Sequence, residues 1–273
     1  MRIALVSPYS WTYQGGVNRH VEALAEEFLD RGHHVRVLAP FDPPGRMSRV
    51  LHRAEAEPRE IPDYLIPLGR TAGFPSNGSI SNLSPFPPGG VIAPRRELNQ
   101  GEFDVVHIHE PVVPLVGWNA ALGTGAPAVG TFHAYSTQAL PNRIAGALGA
   151  RRVFNRLSAR IAVSEAAAWT GRRWFGGHYE VIPNGVDVAA APKGPKPAGE
   201  ELRILFVGRP EERKGLPVLL QAFEGLIEHV PARLTLIGTL ANDSGALLLE
   251  IGTAYLLVFA GYAWAEAGDP GGR

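Results

Sequence analysis

Residues 1–38, MRIALVSPYSWTYQGGVNRHVEALAEEFLDRGHHVRVL, decide the fold. Arg2 to Ser7 is a short apolar run of strand length, and such runs fit a strand buried on both faces. A polar loop then ends at Gly15-Gly16. After it Val17, Val21, Leu24 and Phe28 recur at spacings of four, three and four, which places them on one face of a helix. Gly32 closes that helix, and His34 to Leu38 supplies a second strand. Strand, loop, helix and strand in this order predict parallel pairing and an α/β fold.

The same alternation continues along the chain. Phe103 to His109 (FDVVHIH), an apolar helix around 113–123 and Ala128 to Phe132 (AVGTF) come one after another. A basic amphipathic stretch at 143–157 precedes strand Arg160 to Val163, helix Glu165 to Trp174 and strand Tyr179 to Ile182. Residues 40–102 break the pattern. Their many Pro, Gly, Ser and Asn residues predict a long loop region with short elements, and a long loop within a compact domain is more often functional than idle. Ala190 to Gly199 (AAPKGPKPAG) reads as an interdomain linker. The expected organisation is a domain over 1–189, a linker at 190–199 and an incomplete second domain over 200–273. The second opens with strand Arg203 to Val207, loop GRPEERKG, helix Leu216 to His229 and strand Arg233 to Ile237. From Ala246 to Ala265 a single residue, Glu250, is charged. That run is long enough for a bilayer but has no basic flank to anchor it, so buried strand and helix is the better reading.

Composition removes several function classes. The 273 residues are 45% hydrophobic, and 26 Lys and Arg balance 26 Asp and Glu. No global field therefore draws the chain to nucleic acid. There is no cysteine, which excludes disulfides, thiolate metal sites and cysteine nucleophiles and fits a reducing compartment. The start lacks the basic and long apolar regions of a secretion signal, so a cytoplasmic location is expected.

Four groups of residues can carry chemistry. Gly15-Gly16 at a helix start could bring backbone N–H groups to a phosphate, or could be a tight turn. It is not the GxGxxG fingerprint, and no acid ends the second strand to meet a ribose. His107 and His109 alternate on one strand and share a side; with Glu110 or His133 they could ligate a metal, or simply pack at the cleft. His133, after AVGTF, could act as an acid, a base or a hydrogen-bond donor to a sugar, or be a plain loop histidine. Arg209 and Lys214 in GR-x4-KG could clamp a diphosphate, or form a solvated loop with Glu211, Glu212 and Arg213.

Taken together, SPYS with GGV, DVVHIHEP, TFH, RIAVS, IPNGVD and VGRPEERKG come in an order that resembles the family-4 glycosyltransferases. Within that family the similarity is to the actinobacterial phosphatidyl-myo-inositol mannosyltransferases, over about residues 1–238. The resemblance implies a GT-B fold of two Rossmann-like domains. It also implies retaining transfer of a sugar, mannose in those relatives, from a GDP- or UDP-linked donor to a phosphatidylinositol-type lipid. It further implies no cofactor beyond that donor substrate, no metal and no nucleic-acid partner. Carried over by position, His133 is catalytic, and Gly15, Gly16, Arg209 and Lys214 hold the donor diphosphate. Tyr9, Asn18, Ser76 and Asn77 take acceptor-side places. Peripheral contact at the inner face of the cell membrane is expected in turn, although the basic membrane helix of these relatives is reduced here to Arg95 and Arg96. The pair of glutamates spaced eight apart is not matched, because Glu250 and Glu266 are the only glutamates after Ile237. A catalytically incomplete binding module is therefore the alternative expectation, with a metal-dependent hydrolase behind it.

Overall fold

The computed structural model describes residues 1–13, 15–52, 56, 58–76, 79–84, 88–186, 201–208, 214–239 and 246–252. Contacts divide the chain into two units, Met1–Asp187 and Val188–Arg273.

In the first unit β1 (Arg2–Val6) leads through α1 (Gly16–Asp30) to β2 (His34–Ala39). Then come α2 (Arg46–His52), β3 (Leu65–Pro67), a hairpin of β4 (Ala72–Ser76) and β5 (Ser79–Leu83), and α3 (Ala93–Gln100). The rest alternates: β6 (Val105–His109), α4 (Val116–Gly123), β7 (Ala128–Phe132), α5 (Ala139–Ala147), α6 (Ala150–Phe154), β8 (Ala159–Ala162), α7 (Glu165–Phe175) and β9 (Glu180–Val181). One sheet runs in the order β3-β2-β1-β6-β7-β8-β9, parallel throughout. Chain order reverses beside β1, so a crevice opens between the loops that leave β1 and β6. Open α/β sheets bind ligands at such a point.

The period-two alternation of each strand builds a core on both faces. Ile3 and Leu5 of β1 join Val21 and Ala25 of α1, while Ala4 and Val6 join Ile108, Phe132 and Phe154 on the other side. In β6 the residues Val106 and Ile108 enter the second cluster, and Val105 packs against the first. His107 and His109 continue the Val105 row, on the α1 face. Phe154 is fully buried and meets Phe132 and Phe175 edge-on at 5.4 and 5.0 Å. Phe154→Ala is expected to cost about 3–5 kcal/mol, read from urea denaturation, because the cavity cannot close between the two rings that remain, Phe132 and Phe175.

Three sequence expectations change. The single basic stretch at 143–157 is two helices, broken at Gly149, whose φ of 103° is open to glycine. The helix expected around 113–123 starts later, at Val116, after prolines at 111 and 114 that cannot donate backbone bonds. Among the described residues, 40–102 hold α2, α3, a π-helical turn at Pro88–Ile92, the edge strand β3 and the β4–β5 hairpin, so the expected short elements fill more of this region than loop does.

In the second unit β10 (Leu202–Val207), α8 (Leu216–Ile227) and β11 (Ala232–Thr239) form a parallel βαβ motif. β12 (Ala246–Gly252) adds antiparallel to β11. Phe223 of α8 seals Leu234 and Leu236. The linker at 190–199 and the end of the apolar run, 253–265, lie outside the described residues. Among the described residues no helix is long and apolar enough to cross a membrane.

Candidate active site

The loop after β1 is held from within. Asn18, on the first turn of α1, is 1% exposed. Its Oδ1 accepts from Ser7 Oγ at 2.6 Å, and its Nδ2 donates to Ser10 O at 2.6 Å and to Tyr9 O at 3.4 Å. The side chain is spent on the loop, so Asn18 shapes the acceptor side instead of facing it. A second anchor is Asp42, fully buried at the end of β2, which accepts from Ser10 Oγ, Thr71 Oγ1 and Thr71 N. Burial alone would raise this carboxyl, but hydrogen bonds from His52, Thr71 and Ser10 hold it below its usual value.

Gly15 and Gly16 stand exposed at the start of α1. Gly15 has φ −118° and ψ 175°, an extended conformation open to any residue, and no side chain caps the helix. A Cβ on either glycine would meet nothing within 4 Å. Neither backbone strain nor packing in the chain requires glycine here.

Across the crevice four imidazoles gather. His107 stacks on His109 with centroids 4.3 Å apart, and His109 lies 5.4 Å from His133. His20, one turn beyond Gly16, stands 5.6 Å from both His109 and His133. His107 Nε2 meets Thr131 Oγ1 at 2.6 Å, and His109 Nδ1 meets His133 Nε2 at 3.2 Å. The remaining nitrogen of His109, Nε2, is buried without a partner among the described residues. Burial, reinforced by the neighbouring rings, pushes His107 down to about 4 and His133 down to about 3, and takes His109 well below its usual range. All three are neutral at pH 7. A ring with so low a pKa neither keeps a proton to donate as an acid nor draws one strongly as a base. His133 is left with hydrogen bonding.

Glu110 fixes the backbone of His133. It adopts φ 50°, a left-handed conformation that costs about 1–2 kcal/mol outside glycine. That turn sends its carboxylate back across the sheet, where it accepts from His133 N at 2.9 Å and from Ala134 N. Burial raises the carboxyl to about 7 against the pull of those two bonds. Burial of the Tyr9 hydroxyl, with the Glu110 charge beside it, holds that group well above 10. Glu110 thus faces backbone amides rather than the imidazoles. Among the described residues no three His, Asp or Glu side chains converge as a metal-binding group, so the alternative of a metal held by His107 and His109 with Glu110 or His133 finds no support in the geometry.

Of the remaining expected residues, Ser76 ends β4 opposite Ser79, while Asn77 and Arg209 lie outside the described residues. Lys214 is exposed, just ahead of Gly215, which caps α8 at φ 75°. His20 joins the imidazole cluster although the sequence pattern does not single it out. Its spacing of four from Gly16 was the available signal.

A parallel sheet with a polar crevice at its switch point is an architecture shared by many nucleotide-binding proteins, and comparison narrows the class. Residues 14–190 match Glycosyltransferase Family 4. The chain belongs to that family. It is 38% identical over 237 residues to a phosphatidyl-myo-inositol mannosyltransferase of Mycobacterium leprae, covering 84% of this chain and 58% of the relative. It is 37% identical over 239 residues to the enzyme of that name from Mycolicibacterium smegmatis, covering 85% of this chain and 57% of the relative. The chain therefore spans somewhat over half the length of these relatives. Among solved structures it resembles a sucrose-phosphate synthase from Thermosynechococcus elongatus, with TM-score 0.58 and 20% identity over 86% of this chain and 61% of that one. The fold is that of the GT-B glycosyltransferases.

Proposed function

We propose that this chain binds a GDP- or UDP-linked sugar and takes part in transferring the sugar, mannose, to a phosphatidylinositol-type lipid with retention of configuration. The observation that carries this reading is the exposed glycine pair at the start of α1, which the chain's own structure does not explain and an approaching diphosphate does. The bond from the anomeric carbon to the diphosphate breaks as a bond to the acceptor hydroxyl oxygen forms. The acceptor proton passes to the departing diphosphate, because His133 is too weak a base to hold it. His133 donates a hydrogen bond to the sugar. Arg209 and Lys214 neutralise the leaving charge, with no metal required. Tyr9, Ser76 and Asn77 meet the acceptor, and the enzyme works at the inner face of the cell membrane.

GDP and UDP are expected to bind at roughly millimolar affinity in calorimetric titration. Gly16→Ala should weaken that about tenfold, the worth of one charge-assisted contact. It should leave the melting temperature level or slightly raised, since the added Cβ meets open space and alanine suits a helix. Failure of both nucleotides to bind, or binding indifferent to Gly16→Ala and Arg209→Ala alike, would remove the diphosphate site. Label moving from GDP-mannose into chloroform-soluble phosphatidylinositol reads the reaction itself.

A further inference from the structure

Of the four imidazoles at the crevice, His20 alone makes no hydrogen bond among the described residues. It is half-buried on the second turn of α1, and its ring meets the rings of His109 and His133 edge to face, each at 5.6 Å. Side chains on a helix lean towards its N-terminus, so a residue covers the turn before its own. The His20 ring therefore lies over the turn that begins at Gly16, beside the backbone amides that open α1. No side chain caps those amides. Next to His20, Nε2 of His109 is fully buried and also unpartnered among the described residues. The groups that face His20 carry no charge at pH 7. His109 and, stacked on it, His107 come from β6, and His133 comes from the end of β7; all three are held neutral. Along α1 its face neighbours are Gly16, Val17, Ala23 and Leu24, none of which ionises. Burial holds His20 below its ordinary 6.5, so it too is neutral at pH 7. An anion within about 4–6 Å would favour the charged ring instead.

We propose that His20 is a ligand of the donor diphosphate and takes up one proton from solvent as the diphosphate arrives. The anion sits on the amides at Gly16, and the protonated ring donates a charge-assisted hydrogen bond to a phosphate oxygen. The proton returns to solvent when the nucleotide leaves. A ring that charges only when an anion is beside it avoids holding a bare cation half-buried among three other imidazoles, a cost that an arginine there would carry at all times. The same ring supports the chemistry. As the bond to the anomeric carbon breaks, the terminal phosphate gains negative charge, and an imidazolium is already in place to meet it. The inference rests on the diphosphate reading given above. Gly16 and His20 belong to one unit, so it does not depend on Arg209 or Lys214.

The test is calorimetric titration of the full chain with GDP-mannose and with UDP-glucose, between pH 6 and pH 8, in buffers of different ionisation enthalpy. Both phosphates of a nucleotide sugar are diesters whose charge is constant over this range, so any proton taken up goes to the protein. Uptake approaching one proton is expected at pH 7, with affinity rising by up to about tenfold for each pH unit lowered. His20→Gln keeps a hydrogen-bond donor but cannot charge; it should bind about tenfold more weakly at pH 6 and take up no proton. His20→Lys carries a charge that does not change in this range, and should restore affinity at pH 8 without uptake. Gly16→Ala should weaken binding and leave the proton count unchanged. Uptake that persists in His20→Gln would put the proton on another group, such as Glu110, and overturn the proposal. Binding indifferent to both pH and His20→Gln also overturns it, and leaves the diphosphate site standing. Uptake with glycerophosphoinositol and none with either nucleotide sugar would give His20 to the acceptor phosphate instead. If neither nucleotide sugar binds at any of these pH values, the diphosphate reading itself falls, and this inference with it.

Discussion

Lowering the pH from 7 to 5 is expected to remove on the order of 3 kcal/mol from the stability of the Met1–Asp187 unit, far above the range where carboxylates usually govern acid unfolding. The sign comes from the direction of each shift. His107 and His133 are held down to about 4 and 3, and His109 is held well below its usual value. In the unfolded chain each takes a proton near 6.5, so the unfolded state binds protons that the folded state refuses. Each ring then costs roughly 2 kcal/mol between pH 7 and pH 5. Glu110 works in the opposite direction. Its folded value of about 7 exceeds the unfolded 4.5, so its contribution is fully present below 4.5 and fades as pH rises towards 7. Acidification therefore returns about 2 kcal/mol. Asp42, held low, loses its contribution only below its ordinary value of 3.8 and lies outside this window. These three losses against one gain leave the net figure, to which His20, also lowered by burial, adds a further loss of the same sign. The total is a large share of the roughly 5–15 kcal/mol that stabilises a typical domain. Urea denaturation monitored by tryptophan emission reads this unit well, since Trp11, Trp118, Trp169 and Trp174 all lie within it. His107→Gln keeps a partner for Thr131 and should remove about one ring's share of the pH dependence. Equal stability at pH 5 and pH 7 would mean that water reaches the cluster.

The cluster behind that expectation was only partly legible in the sequence, and the reason is geometric. Alternation along residues 103–109 was enough to put His107 and His109 on one side, and the order of strands put His133 nearby. What alternation cannot show is which face of the sheet α1 covers. His20 entered the group through that packing, and it sits on a helix whose apolar residues dominated the reading. The orientation of Glu110 is hidden for a related reason. A carboxylate next to two histidines leaves a ligand role open, yet a left-handed φ turns it towards the amides of the neighbouring loop, and no sequence period encodes such a turn. Asn18 differs again. The resemblance places it on the acceptor side by position alone, and what only the fold shows is that its buried amide has three partners in the loop after β1. The regular strands came through almost intact because their signal is local. Residues 40–102 did not, since α2, β3 and the hairpin are short and held by contacts such as Thr71 on Asp42.

The same geometry predicts which nitrogen of His133 carries the proton, and how the site responds when that choice is undone. His109 Nδ1 and His133 Nε2, 3.2 Å apart, share one hydrogen. If His133 donates it, His109 must carry its own proton on Nε2, which is buried without a partner among the described residues. If His109 donates, that buried Nε2 is a bare acceptor instead. Orphaned buried donors are the rarer of the two. The hydrogen therefore sits on His109 Nδ1, His133 Nε2 accepts it, and His133 is protonated at Nδ1. A neutral donor is what the proposed hydrogen bond to the sugar requires. His109 touches no substrate in this arrangement; it acts through His133 as a positioning residue. Imidazole 15N shifts of the labelled chain should show His133 in its Nδ1-protonated neutral form at pH 7. His109→Asn places an amide N–H near the position of Nδ1 and should keep that form. His109→Leu, close in size and free of polar atoms, should fold but release His133 into a mixture of both tautomers. Where transfer is measured, His109→Leu should lower kcat roughly 100-fold with little change in KM, the size of effect that misplacing a catalytic group by about 1 Å produces. His109→Asn should recover most of it. A His133 protonated at Nε2 in the unmodified chain would reverse the assignment. Full activity and unchanged 15N shifts in His109→Leu would show that His133 is oriented by Glu110 and the loop alone.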